Sequence, residues 1–223
     1  MSAVDIAANI AKLKQRIDRA CGRASRSPEE VTIVAVTKTV PAPLVRAAFE
    51  SGIRNFGENR VQEAEAKLDQ LADIRKETTW HMVGHLQTNK AGRALEIFDV
   101  IQSVDSLRLA EVLNRRASRR LPVLLEVNVS GEKTKTGFRP DEITAAVGTI
   151  NSLPNLEIRG LMTIAPIVRE PEEARPYFRR LRELRDGLGL KEASMGMTDD
   201  FEIAIEEGAT IIRIGRAIFG ERI

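Results

Sequence analysis

Lys38 closes the stretch VTIVAVTKTV, in which apolar and β-branched residues run straight into an ammonium group flanked by Thr37 and Thr39. An amine at the end of a buried-type strand has four fates: a salt bridge, a snorkelling contact with water, an anion contact or, once desolvated, a Schiff base with a carbonyl compound. Position alone favours the solvated fates, because most lysines stay in water. A second group of residues shifts the balance. Ser194, Gly196, Gly215 and Gly220 end or follow the last two apolar runs of the chain, and MTDDFEIAIEEG between them opens a helix with Thr198 or Asp199 as its N-cap. Glycine lets a phosphate approach backbone N–H groups and a serine hydroxyl adds a donor, although turns and caps alone would use the same residues.

A strand-end lysine with a phosphate cradle across from it points to an aldehyde cofactor that carries a phosphate, pyridoxal 5′-phosphate (PLP). Arg213 strengthens the case. It lies in TIIRIG, an otherwise apolar run where a buried guanidinium needs a partner. A structural carboxylate would serve, and so would the pyridine nitrogen of the cofactor, whose protonation an arginine discourages. His81 and His85 in WHMVGH do not have HExxH spacing and the single Cys21 is distant in sequence, so no metal site is expected. His81 reads as a core or ring-contacting residue and His85 as a loop histidine, either able to touch a cofactor. The basic runs RRASRR at 115–120 and RRLRELR at 179–185 read as solvated outer helix faces, Trp80 as core, and Tyr177 as a residue of an outer helix.

Such residues need a scaffold that brings strand ends together. Eight short apolar runs, at 31–37, 53–56, 80–84, 100–104, 122–129, 157–164, 192–196 and 210–215, alternate with segments of helical periodicity, and an amphipathic helix at 3–22 precedes them all. No Gly/Ser/Pro-rich linker interrupts the series. The pattern predicts an α/β fold, a single (β/α)8 TIM-type barrel domain over residues 1–223 with an extra N-terminal helix. A doubly wound open sheet is the alternative. In both, ligands bind beyond the carboxyl ends of the strands. Only RAIFGERI follows the last run, so the N-terminal helix is expected to cover what a full eighth helix would bury. Lys+Arg 34 against Asp+Glu 32 argues against a dedicated nucleic-acid surface, and one cysteine allows no internal disulfide. The start has no secretory signal pattern and no apolar run reaches the roughly 18 residues of a membrane span, so a cytoplasmic protein is expected.

Several long motifs, AVTKTV at 35–40, FGENRVQEA at 56–64, WHMVGHLQTNK at 80–90, EVNVSGEKTKTGF at 126–138, GLMTIAP at 160–166, SMGMTDDFEIAIEEGAT at 194–210 and RIGRAIFGER at 213–222, resemble the pyridoxal phosphate homeostasis proteins, relatives of the alanine racemase N-terminal barrel. The resemblance implies that Lys38 holds PLP as an internal aldimine, that Asn59 lies near it, that Arg213 meets the ring nitrogen, and that Ser194, Gly215 and Arg216 surround the phosphate. His81, Met162 and Gly196 complete the expected cofactor-binding set. Arg216 and Thr198 depart from the family's common threonine and serine, so a side-chain hydroxyl is lost at 216 while a backbone contact survives. The implied function is to carry and buffer PLP in vitamin B6 and amino-acid homeostasis, as a monomer, with PLP-dependent apo-enzymes as recipients and without established catalytic turnover. Racemisation needs acid/base groups on both faces of the substrate carbon. Lys38 supplies one, and no counterpart of the racemase's second domain or of its partner-subunit tyrosine is expected, Tyr177 reading as a residue of an outer helix. The alternatives are a PLP-dependent enzyme of weak racemase type and an interaction module that binds a protein or nucleic acid through its helices.

Overall fold

The first helix, α1 (Ile6–Arg23), starts where Asp5 Oδ1 accepts the Ala8 N–H at 2.9 Å, and it buries Ile6, Ile10, Leu13 and Ile17 along one face. The computed structural model describes residues 4–132 and 134–221. Residue 3 of the expected first helix, Lys133 of EKTKTGF and the last two residues of RAIFGERI lie outside the described residues. After α1 the chain alternates: β1 (Thr32–Val36), α2 (Ala42–Glu50), β2 (Asn55–Glu58), α3 (Val61–Leu68), β3 (Thr79–Met82), α4 (Ala91–Ile97), β4 (Val100–Val104), α5 (Leu107–Arg116), β5 (Leu121–Glu126), α6 (Ile143–Asn151), β6 (Leu156–Met162), α7 (Arg175–Gly187), β7 (Glu192–Ser194), α8 (Phe201–Glu206), β8 (Ile211–Ile214) and α9 (Arg216–Phe219).

Each strand pairs in parallel with the next, and β1 pairs with β8, so the sheet closes into a TIM barrel rather than an open doubly wound sheet. β4 and β5 are buried along their whole length, as strands covered on both faces are. Two apolar layers result. Val34, Val83, Val100, Leu124, Met162 and Ile211 pack inside the barrel, and a larger layer that includes Phe56, Trp80, Phe98, Phe178 and Phe201 lies between strands and helices. Trp80 belongs to that outer layer, stacked on Phe56 at 5.4 Å between ring centroids.

The helix ends differ in detail from the sequence pattern. Pro171–Ala174 form a 3-10 turn and α7 begins at Arg175. The N-cap position of α8 falls to Asp200, whose Oδ1 accepts the Met197 N–H at 2.6 Å, while Thr198 Oγ1 accepts from Ala217 N in α9 at 3.4 Å. Since α9 is a single turn, α1 lies over the space beside it. Asn9 Nδ2 donates to the Ile218 carbonyl at 3.0 Å, and Arg16 and Arg23 pair with Glu202 and Glu206 of α8. Burying four large apolar side chains of α1 there contributes about 2 kcal/mol each.

The run at 179–185 is not a purely solvated face. Arg175, Arg179 and Arg182 converge on Glu207, a buried carboxylate at the end of α8, at 3.0, 3.1 and 3.0 Å. Burial opposes the charge on Glu207, but the hydrogen bonds from Arg179 and Arg175 outweigh it and hold the carboxyl below its ordinary range. These arginines lock α7 to α8. Among the described residues, no helix is long and apolar enough to cross a membrane.

Candidate functional site

Lys38 follows β1 in a turn closed by the Val40 N–H on the Thr37 carbonyl at 2.9 Å. The turn is gripped from three sides. Thr37 Oγ1 donates to Glu58 Oε1 at 2.6 Å, Lys67 Nζ donates to the Thr37 carbonyl at 2.6 Å, and the Thr39 N–H donates to Glu63. Lys67 also pairs with Glu58, and both are buried. Burial pushes the Glu58 carboxyl up, against the pull of Lys67, and its second oxygen has no hydrogen-bond partner among the described residues. Thr39 has φ of 63°, a left-handed conformation that a β-branched residue adopts only when its surroundings impose it. Thus β2 and α3 fix the backbone on both sides of Lys38.

The side chain of Lys38 lines a cavity of about 300 Å³ at the carboxyl end of the barrel, together with Val36, Asn59, Val83, Arg213 and Arg216. Thr198, Asp199 and Gly215 complete its polar rim and Ile164 and Met197 its apolar one. Three cations face one carboxylate, and Asp199 already pairs with Arg216. This donor set fits a small planar ligand that bears an aldehyde and a phosphate, with the amine and the guanidinium groups as its partners.

Arg213 sits deepest. In the sheet register it pairs with Val34, four residues before Lys38, and it is 4 % exposed. Its partners are neutral: Nη1 donates to Ser194 Oγ at 2.6 Å and Nη2 to the Thr163 carbonyl at 2.7 Å. Burial pushes its pKa down to about 10, with the charges of Asp200 and Glu126 opposing. Among the described residues no carboxylate pairs with it directly.

Five of the nine expected cofactor-binding residues, Lys38, Asn59, Arg213, Gly215 and Arg216, therefore line one cavity. The other four stand outside its lining. Met162 packs in the inner apolar layer. Ser194 is fully buried, its hydroxyl taken by Gln102 and Arg213. Gly196, at φ of 89°, lies under α8, where a Cβ would come within 2.5 Å of the Ala204 Cβ, and its carbonyl accepts from the Arg213 N–H. His81 lines a different cavity at the amino end of the barrel, with Thr32, Asn55, Thr79 and Ile211. The ring points inward on β3 but toward the end of the barrel away from Lys38.

Sequence reasoning missed the Glu58–Lys67 pair, Gly84 and Gln102. The polar residue inside the apolar run VIQSV was the available signal for Gln102. Gly84 has a steric reason: a Cβ there would lie 2.5 Å from the Asn59 carbonyl oxygen, so only glycine lets the loop after β3 close on the Asn59 wall. Beyond Asn59 a shallower depression of about 460 Å³ runs past Arg60, Gln62, His85 and Lys90 without reaching Lys38.

The family model described as alanine racemase, N-terminal domain, matches residues 6–223. A pyridoxal phosphate homeostasis protein of Aquifex aeolicus is 44% identical over 222 residues, covering 96% of each chain, and one of Pseudomonas aeruginosa is 46% identical over 222 residues, covering 97% of this chain and 96% of its own. The chain belongs to the pyridoxal phosphate homeostasis protein family. Among solved structures, PipY of Synechococcus elongatus PCC7942 with PLP bound superposes with a TM-score of 0.85 at 39% identity, covering 97% of this chain and 100% of its own.

Proposed function

We propose that this protein carries and buffers pyridoxal 5′-phosphate at Lys38. The observation that carries the reading is the meeting of the Lys38 amine with Arg213, Arg216 and Asn59 in one cavity, in a chain 39% identical to a protein solved with PLP bound. When bound, PLP supplies an aldehyde that bonds reversibly to an amine and a ring that withdraws electrons. Lys38 is the amine that takes the aldehyde. Arg216, with the backbone at Gly215, receives the phosphate, and Asn59 walls the ring. Arg213 offers a donor to the ring nitrogen and keeps a proton off it, which blunts the electron-withdrawing power of the ring. Ser194 acts through Arg213, while Met162, Gly196 and His81 shape the layers beneath.

This arrangement suits holding better than turnover. Proton transfer on both faces of a substrate carbon needs a second group across the cavity. Asp199 is committed to Arg216, and Tyr177, the single tyrosine, packs on α7 against the outer layer. The protein is accordingly read as a cytoplasmic monomer that releases PLP to apo-enzymes.

Purified protein given PLP should gain visible absorbance, and borohydride should trap an adduct on the peptide that contains Lys38. Lys38→Ala should lose both. A colourless wild type sinks the reading, and efficient turnover of any amino acid that disappears in Lys38→Ala replaces it with the enzyme alternative.

A further inference from the structure

Beneath Arg213 a hydrogen-bonded chain crosses the barrel interior. Arg213 Nη1 donates to Ser194 Oγ at 2.6 Å, Ser194 Oγ meets Gln102 Oε1 at 2.6 Å, Gln102 Nε2 meets His81 Nδ1 at 3.0 Å, and His81 Nε2 meets Asn55 Oδ1 at 3.1 Å. The five side chains come from five strands, β8, β7, β4, β3 and β2. None of Ser194, Gln102, His81 or Asn55 lines the cavity at Lys38.

The arginine sets the direction of every bond. A guanidinium only donates, so Ser194 accepts from it and must pass its own hydrogen to Gln102, which therefore presents its carbonyl oxygen. That turns the Gln102 amide NH2 toward His81. Nδ1 of the imidazole must then be a lone pair, and the ring hydrogen sits on Nε2, donated to Asn55. Turning Gln102 over would aim two donors at Ser194 Oγ and leave the buried hydroxyl hydrogen without an acceptor. One arrangement satisfies all five groups.

We infer that Gln102 and His81 are positioning residues for Arg213, holding its guanidinium at a fixed height and rotation below the mouth so that its contact with a bound ligand depends on side chains that never touch that ligand. The inference rests on PLP being the occupant of the mouth. The guanidinium has two tethers, Ser194 Oγ and the Thr163 carbonyl. The carbonyl is fixed by the backbone, whereas the hydroxyl, among the described residues, is held on its far side by Gln102. Loss of Gln102 therefore frees one edge of the guanidinium without altering any residue of the cavity.

Two measurements on the whole protein test this. With histidine labelled in nitrogen-15, and His85→Asn used to assign the two histidines, His81 should show the Nε2–H tautomer, and its resonances should move when PLP is added to the wild type. An Nδ1–H tautomer, or resonances indifferent to loading, overturns the inference. Gln102→Met should lose bound PLP about five- to tenfold faster than wild type, the scale of one hydrogen bond, and shift the visible band. Leu124→Ala, a fully buried neighbour in the inner layer, should lower stability without either effect. Wild-type release from Gln102→Met, or equal acceleration in Leu124→Ala, reduces Gln102 to a structural residue. If Gln102→Met does not fold, the tautomer and the loading shift of the wild type decide. A wild type that binds no PLP fails at the earlier step, and this inference falls with it.

Discussion

Lys67 Nζ donates to the Thr37 carbonyl at 2.6 Å, so a buried ammonium on α3 holds the residue that precedes Lys38. The same ammonium pairs with buried Glu58, and Glu58 accepts from the Thr37 hydroxyl. One lysine thus works structurally so that its neighbour in space can face a ligand. Lys67 is buried with its carboxylate partner, whereas Lys38 lines the cavity at the barrel mouth.

Lys67→Met should expose the importance of that pairing, because it strands Glu58 without its cation. A loss of about 3–5 kcal/mol in urea unfolding is expected, of which the double substitution Glu58→Gln with Lys67→Met should recover a large part. Equal stability of single and double variants would refute the coupling.

Gly84→Ala should act on the wall of the cavity. The added methyl meets the Asn59 backbone well inside contact distance, and relieving the overlap should cost about 1–3 kcal/mol of stability or move Asn59. PLP affinity, measured by titration of the visible band, should fall at least about tenfold if Asn59 moves, the equivalent of about 1.4 kcal/mol. Unchanged stability and affinity together would contradict the geometry.

Glu207→Ala should unlatch α7 from α8. Its carboxylate serves Arg175, Arg179 and Arg182, and removing it leaves three guanidinium groups crowded around an empty site. A loss of about 2 kcal/mol is expected in urea, reduced by salt at the partly exposed Arg179. A change within about 0.5 kcal/mol would place the cluster among ordinary surface pairs.

Acid should destabilise the protein through His81. Burial lowers its pKa from 6.5 to about 4, outweighing the opposite pull of Asp99. The folded state thus binds the proton less readily than the unfolded chain, so the His81 contribution is fully present above about pH 6.5 and is lost as pH falls toward 4. The whole loss amounts to about 3 kcal/mol. His81→Gln should remove it: the difference in stability between wild type and variant should shrink or reverse over that window. A difference that does not vary with pH would show that His81 titrates normally. Glu58 and Glu126, raised by burial, titrate in both proteins and cancel in the comparison.

Much of the fold was legible in the chain because a parallel barrel imposes strong local patterns. Short continuous apolar runs such as PVLLEV and VIQSV are what fully buried strands require, and turns and caps separate them from amphipathic helices. Lys38, Arg213 and Gly215 could be picked out because each breaks a pattern at a strand end. A strand end belongs to the mouth whichever way the sheet closes. Lys38 and the glycines across from it pointed to PLP, and the motif resemblance supplied the family.

Closure, depth and direction were decided only in three dimensions. The pairing of β1 with β8 placed Val34 beside Arg213 and so set the arginine below Lys38. Ser194 has, at a strand end, the chemistry of a phosphate ligand, and the structure buries its hydroxyl between Arg213 and Gln102. His81 looked able to reach a cofactor, yet its height on β3 sends it to the amino end of the barrel. The sequence by itself determined which residue types stand at the ends of eight strands. Tertiary structure alone decided which of them share a cavity and which serve as tethers, because side-chain height and partner depend on register between strands distant in sequence.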